Sequence, residues 1–272
     1  MSASKICFIG AGNMTRSIIS GLIAHGYCPQ VITATNPSTP KLDALTQDFG
    51  VLTSTDNLQS AADCNVIVLC VKPQIMQQVC TELAAIDLSS KLVITIAAGV
   101  LSDRYPSYCK QPLALIRAMP NTPSQIGLGM TGLYASAGVT AAQRDLCEQM
   151  LSSIGKVLWV DSEDKLNLVI ALAGSSPAYF FLFIEAMVDA AVKLGMNADE
   201  ARLLAQQAAL GSAAMLENNP DISLQQLRQN VTSKGGTTHE AIVTFEQGGL
   251  RTLVDEAMNN AIKRADAMAA TF

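Results

Sequence analysis

The stretch Val231-Thr-Ser-Lys-Gly-Gly-Thr-Thr-His239 sets small and hydroxyl side chains around a glycine pair. It runs directly into Glu240-Ala-Ile-Val-Thr-Phe245, whose spacing predicts the first turns of a helix. The first N–H groups of a helix have no partner inside it, and the helix dipole adds partial positive charge there, so such a start binds anions without Arg or Lys. Glycine lets a small ligand approach the backbone, and the Thr237 and Thr238 hydroxyls can donate to it. Taken alone, the stretch reads first as an ordinary glycine turn with a Ser/Thr cap, and only a second glycine turn shifts that reading.

A second glycine turn stands at the other end of the chain. Lys5-Ile-Cys-Phe-Ile9 is an apolar run suited to a buried strand; it leads into Gly10-Ala-Gly12-Asn-Met-Thr15, and 17–24 continues with helical spacing. Strand, glycine turn and helix in that order point to a dinucleotide site, with Gly10 making the turn and Gly12 admitting a pyrophosphate. The third position is Thr15 instead of Gly or Ala, which predicts looser packing of helix on strand. The next strand, 31–35, ends at Asn36-Pro37, where an NAD site usually carries an acid for the ribose 2′-hydroxyl. Neutral Asn36, with Lys41 nearby, favours NADP(H) over NAD(H); Asn36 also suits a plain turn before Pro37.

These turns need a scaffold. Apolar strands at 51–53, 65–71, 91–96 and 113–117 alternate with helices at 42–49, from 56, and 74–85, the pattern of a parallel sheet covered on both faces. Ligands in such sheets bind beyond the carboxyl ends of the strands, here at 10–15, Asn36, 71–73, 97–99 and 120–122. Short strands at 131–135 and 156–160 flank a helix at 141–152 and complete the sheet. From Ser162 strand-like runs almost vanish, and helices are expected at 163–173, 177–194, 198–217, 237–246 and 249–270, with a break at Gly174-Ser-Ser-Pro177. The expected fold is therefore an α/β amino-terminal Rossmann-type domain with a parallel sheet, residues 1–161. An all-α carboxyl-terminal dimerisation domain follows, residues 162–272.

Composition narrows the function classes. The 272 residues are 49% apolar and only 15% charged, a deficit that suggests surface buried against another subunit. A net charge of −5 gives no basic footprint for nucleic acid. No basic, apolar start with a cleavage site follows Met1, so no export signal is expected. The seven scattered cysteines read as small buried hydrophobes in a reducing, cytoplasmic setting. With His25 and His239 the only histidines and no Cys/His cluster, no metal site is expected. The uncharged run between Lys165 and Glu185 approaches a membrane span in length, yet Asn167, the Gly-Ser-Ser-Pro break, Glu185 and Asp189 favour a soluble helix at a subunit interface.

The chain resembles the pyrroline-5-carboxylate reductases from end to end. The likeness rests on Phe8-Ile-Gly-Ala-Gly-Asn-Met14, Val71-Lys-Pro-Gln74, Met119-Pro-Asn-Thr-Pro123, Gly174-Ser-Ser-Pro-Ala-Tyr-Phe180, Asp189-Ala-Ala-Val-Lys-Leu-Gly195 and Val231-Thr-Ser-Lys-Gly-Gly-Thr-Thr238. The resemblance implies reduction of 1-pyrroline-5-carboxylate, a small cyclic imine, to L-proline in the last step of proline biosynthesis, with NADPH as hydride donor and NADH tolerated. It implies a homodimer that assembles into a ring such as a decamer. It places Gly10, Ala11, Gly12, Asn13, Met14, Asn36, Asn57, Val71, Lys72, Pro73, Ala97, Ala98 and Gly99 at the cofactor. Glu163, Asn230, Gly235, Gly236, Thr237 and Thr238 would face the substrate.

In that reading the N–H groups of Gly236, Thr237 and Thr238 hold the substrate carboxylate, and Thr238 is the candidate catalytic hydroxyl at the ring nitrogen. Glu163 either stabilises the cationic iminium or merely complements a helix dipole, and Asn230 caps a turn. The wide sequence separation of the two glycine turns suggests an active site completed across a dimer. Two positions depart from the family: Lys234 stands where Pro is usual, freeing a φ, and Ser176 where Gly is usual, so φ there need not be positive. Two rivals remain. A β-hydroxyacid dehydrogenase would need a catalytic Lys, for which Lys165 and Lys193 are the candidates, and a non-enzymatic NADP-binding sensor would bind without turnover.

Overall fold

A computed structural model describes residues 4–271; positions 1–3 and 272, the outer ends of the two expected domains, lie outside the described residues. Eight strands form one sheet: β1 Ile6–Ile9, β2 Ile32–Thr35, β3 Leu52–Ser54, β4 Val66–Leu69, β5 Leu92–Thr95, β6 Ala114–Met119, β7 Gly129–Ala135 and β8 Gly155–Trp159. Their order is β3-β2-β1-β4-β5-β6-β7-β8, and the first six are parallel. The chain order reverses between β1 and β4, the place where doubly wound sheets open a crevice for a nucleotide.

Between these strands lie α1 Asn13–Ala24, α2 Pro40–Phe49, α3 Asn57–Ala62, α4 Pro73–Leu83, α5 Arg104–Cys109 and α6 Ala141–Ser152. Alternation along each strand builds two cores, because successive side chains leave opposite faces of a strand. Ile6, Phe8, Val66, Val68, Leu92 and Ile94 meet Ile18, Ile19 and Leu22 of α1 and Met150 of α6 on one face. Cys7, Ile9, Ile67, Leu69 and Val93 meet Met76 and Leu83 of α4 and Tyr105 of α5 on the other. Each fully buried side chain of this kind contributes about 1.5–3 kcal/mol.

The last two strands break the expected parallel pattern: β7 runs antiparallel to β6 and parallel to β8, so both run against the first six. The link 120–128 is too short for a crossover, which needs a dozen or more residues. It is instead a tight 3-10 turn, Thr122–Ile126, closed by Gly127 at φ 73°. β7 and β8 approach through glycines, since a Cβ on Gly155 would fall 2.0 Å from the Gly129 carbonyl oxygen.

The carboxyl-terminal helices are α7 Lys165–Val169, α8 Ser176–Lys193, α9 Ala198–Asn218, α10 Leu224–Asn230, α11 Thr237–Gln247 and α12 Leu250–Ala269. The break expected at Gly174-Ser-Ser-Pro177 is not a break. Ile170–Gly174 forms a π turn in which the Ser175 N–H donates to the Ile170 carbonyl at 2.8 Å, and α8 begins at Ser176. Pro177 falls in the first turn of α8, where a missing N–H is harmless. Ser176 does not take positive φ, as its replacement of glycine predicted; Lys110 alone does so among the described non-glycine residues. α5 and α10 were not foreseen, for both are short; α10 starts where Ser223 accepts from the Gln226 N–H at 3.1 Å.

The change in sequence texture falls near Ser162, whereas compact packing divides elsewhere. One unit comprises Met1–Ser175 with Ala261–Phe272, and the other Ser176–Asn260. Residues 162–175 belong with the sheet because Glu163 pairs with Arg117, and Val169 lies where a Cβ on Gly132 would stand, 2.6 Å away. The helix running Lys165–Lys193 is long and apolar enough to cross a membrane by length and composition. On α8, Phe180, Phe181 and Leu182 are each 66% exposed in the single chain.

Candidate active site

The sheet register fixes the cofactor side of the first unit. Thr35, Ile9, Leu69, Thr95 and Arg117 stand in one row across five parallel strands, so the turns that follow them open along one edge. Gly10 takes φ 104°, and a Cβ there would lie 2.8 Å from the Cys70 carbonyl oxygen. Gly12 is the N-cap of α1, has no side-chain cap bond, and would have nothing within 4 Å of an added Cβ. Open space over uncapped N–H groups is what a phosphate requires. Asn13 and Met14 form the first turn of α1 behind Gly12, and Ala11 is buried beneath it. Thr15 does not loosen this packing: it is fully buried, and its hydroxyl donates to the Gly10 carbonyl at 2.6 Å.

Asn36 directs its amide to the Ser38 carbonyl at 3.0 Å and to the Ser38 hydroxyl at 3.1 Å, fixing the turn after β2. Asn57, at the start of α3, accepts from the Thr35 hydroxyl at 2.6 Å, so both asparagines sit at the end of β2. Val71 follows β4, Lys72 is the N-cap of α4 and Pro73 its first residue. After β5, the Ala97 N–H donates to the Thr95 hydroxyl at 3.3 Å, Ala98 follows, and Gly99 takes φ 78° against Met268. Thr95 also bonds the Tyr105 hydroxyl at 2.7 Å, and burial pushes the Tyr105 phenol well above its ordinary range. The expected cofactor residues of this unit thus share one edge, and their backbone fits a dinucleotide.

Glu163, directly before the N-cap of α7, is an engaged carboxylate. One oxygen accepts from the Ser102 N–H and from Arg117 Nη1, each at 2.7 Å, while the other accepts from the Ser102 hydroxyl at 2.7 Å. The side chains of Arg117 and Glu163 are 3% and 21% exposed. The one signal for this pairing is an Arg inside an otherwise apolar strand, which a buried sheet tolerates only with a partner. Asn121 was likewise missed as an individual: its amide donates to the Ala173 carbonyl in the π turn at 3.0 Å, and its carbonyl accepts from the Met130 N–H at 2.9 Å. Single π turns are frequent at functional sites. Lys165, the candidate base of the dehydrogenase rival, instead pairs on the surface with Asp161 at 2.7 Å.

In the second unit, Asn230 ends α10 and its side-chain oxygen accepts from Gln226 at 2.8 Å. Gly235 turns the chain at φ 72° and Gly236 becomes the N-cap of α11. The Gly236 N–H closes the turn by donating to the Ser233 carbonyl at 3.0 Å, so it is not free for a ligand as expected. The N–H groups of Thr237 and Thr238 open α11 with no side-chain cap, and both residues are exposed. Lys234, exposed one residue before Gly235, adds a cation to the same turn. Among the described residues no group of three or more His, Cys, Asp or Glu side chains is placed to hold a metal ion. All seven cysteines are free thiols; Cys28 is exposed and Cys70 half-buried, the other five buried.

Residues 163–268 match the family described as pyrroline-5-carboxylate reductase dimerisation, and residues 5–99 the family described as NADP oxidoreductase, coenzyme F420-dependent. A pyrroline-5-carboxylate reductase of Vibrio alginolyticus is 52% identical over 272 residues, spanning all of both chains. One from Haemophilus influenzae is 40% identical, again over the whole of both. Among solved structures, a pyrroline-5-carboxylate reductase from Coxiella burnetii superposes with a TM-score of 0.93 at 44% identity, covering 98% of this chain and 99% of that one. A Plasmodium falciparum pyrroline carboxylate reductase with NADP bound gives a TM-score of 0.88 at 27% identity, covering 99% of each.

Proposed function

The chain belongs to the pyrroline-5-carboxylate reductase family, and on that premise we propose how its residues share the work. The protein is an NADP-dependent oxidoreductase that reduces 1-pyrroline-5-carboxylate to L-proline, the closing step of proline biosynthesis. Bound NADPH supplies the hydride that adds to the C=N carbon, chemistry that belongs to the cofactor. Gly12 and the N–H groups opening α1 hold the pyrophosphate, and neutral Asn36 leaves room for a 2′-phosphate.

The substrate carboxylate is held by the N–H groups of Thr237 and Thr238 at the start of α11. The Thr238 hydroxyl hydrogen-bonds the ring nitrogen, whose protonation makes the carbon electrophilic. The observation that carries this assignment is the α11 start itself: two threonine N–H groups after a Gly-Gly turn, with no side chain to cap them. The exposed phenylalanines of α8 support a homodimer through the helical unit, and further assembly into a ring such as a decamer is part of the same proposal. We place the enzyme in the cytoplasm, with the Lys165–Lys193 helix at a subunit interface instead of in a bilayer.

NADPH oxidation by the purified protein with a panel of cyclic imines, beside NADP reduction with a panel of 3-hydroxyacids, tests the function. Rapid NADPH oxidation with 1-pyrroline-5-carboxylate and no NADP reduction with the hydroxyacids is expected. Turnover only with hydroxyacids, or nucleotide binding without turnover of any imine, would overturn it.

A further inference from the structure

We propose that Glu163 is a positioning residue that acts through Ser102 to set the 97–99 turn against the nicotinamide half of the cofactor. The proposal rests on the NADPH-dependent reading above. Both Glu163 oxygens are occupied, one by the Ser102 N–H and Arg117, the other by the Ser102 hydroxyl, all at 2.7 Å. Three of the roughly four acceptor positions of the carboxylate are thus taken, one of them by a buried guanidinium, which holds the side chain to the turn. Arg117 is brought there by the sheet, since it stands beside Thr95 in the β5–β6 register. Thr95 begins the turn and Ser102 ends it.

The turn is therefore fixed at both ends. At its start the Thr95 hydroxyl accepts from the Ala97 N–H and bonds Tyr105; at its end Ser102 donates twice to Glu163. Met268 walls its middle, standing 2.9 Å from the place a Cβ on Gly99 would occupy. In a doubly wound sheet the β1–β2 half takes the adenosine and the other half the nicotinamide. The turn after β5 belongs to the second half. Loosening Ser102 must then weaken NADPH binding without touching the adenosine end.

The test compares Glu163→Ala, Glu163→Gln and Ser102→Ala in the full-length enzyme. The readouts are kcat, KM for NADPH, NADPH affinity by fluorescence titration, and affinity for adenosine 2′,5′-bisphosphate by calorimetry. In Glu163→Ala, KM and Kd for NADPH rise about tenfold or more, as loss of hydrogen bonds to a charged group implies. Binding of the bisphosphate and the pH profile of kcat at saturating NADPH stay as in the wild type. Glu163→Gln keeps an acceptor for Ser102 and Arg117 and restores NADPH affinity to within about threefold. Ser102→Ala gives a smaller rise in KM for NADPH of the same selectivity; it decides the matter should the alanine variant at 163 not fold.

Unchanged NADPH affinity in Glu163→Ala or Ser102→Ala overturns the proposal. So does equal weakening of NADPH and the bisphosphate, or a kcat loss with an altered pH profile in Glu163→Gln. Failure of the cofactor reading would instead show in the unmutated enzyme, as absence of NADPH oxidation with the imine.

Discussion

The Thr15 hydroxyl donates to the Gly10 carbonyl at 2.6 Å from a side chain that is fully buried. A position that usually asks for Gly or Ala thus carries a hydrogen bond that closes the glycine turn. Thr15→Ala should lose about 1 kcal/mol of stability by denaturant titration, and KM for NADPH should rise as the turn relaxes. A variant as stable as the wild type would show that the bond contributes nothing.

Gly10 and Gly12 should respond differently to the same added methyl group. Gly12→Ala meets no protein atom within 4 Å and has φ −82°, so the fold should melt as before while NADPH binding falls. Gly10→Ala must place a Cβ 2.8 Å from the Cys70 carbonyl oxygen at φ 104°, so it should lose stability itself, by about 1–3 kcal/mol. Melting curves with and without NADPH separate the two. Unimpaired NADPH binding by Gly12→Ala would remove the pyrophosphate from that turn.

The Arg117–Glu163 pair is tested by a double-mutant cycle. Arg117→Met alone should cost about 3–5 kcal/mol, because it strands a carboxylate in a mostly buried site. The double variant with Glu163→Gln should recover part of that loss, since the stranded charge is gone. Strict additivity of the two single changes would mean that the residues do not interact energetically.

Cofactor choice should turn on Asn36. Asn36→Asp removes the amide that holds the Ser38 turn and adds a negative charge where a 2′-phosphate would stand. The ratio of kcat/KM for NADPH over NADH should fall about tenfold or more, equivalent to about 1.4 kcal/mol. A ratio that does not move would place the 2′-phosphate elsewhere.

What the sequence disclosed followed local rules. Gly10-Ala-Gly12 between an apolar strand and a helix, and Gly235-Gly236 before a helix, each announce their backbone conformation, and both turns stand where expected. The reversed direction of β7 was hidden because an apolar strand looks alike in either orientation, and only the shortness of the 120–128 link hints at it. The Gly174-Ser-Ser-Pro stretch looked like a helix break, since Gly and Pro usually punctuate; a π turn followed by a proline-tolerant first turn carries helix through it. The partners of Glu163 were illegible for a different reason. Ser102 and Arg117 lie 61 and 46 residues away in sequence, and only the sheet register brings them to one point.

The sharpest measurement compares Thr238→Ala with Thr238→Ser for NADPH oxidation at saturating 1-pyrroline-5-carboxylate. The hydroxyl at the start of α11 should make kcat fall about a hundredfold in the alanine variant and stay within several-fold in the serine variant. Undiminished turnover in Thr238→Ala would contradict the assignment of the α11 start to the reacting ring.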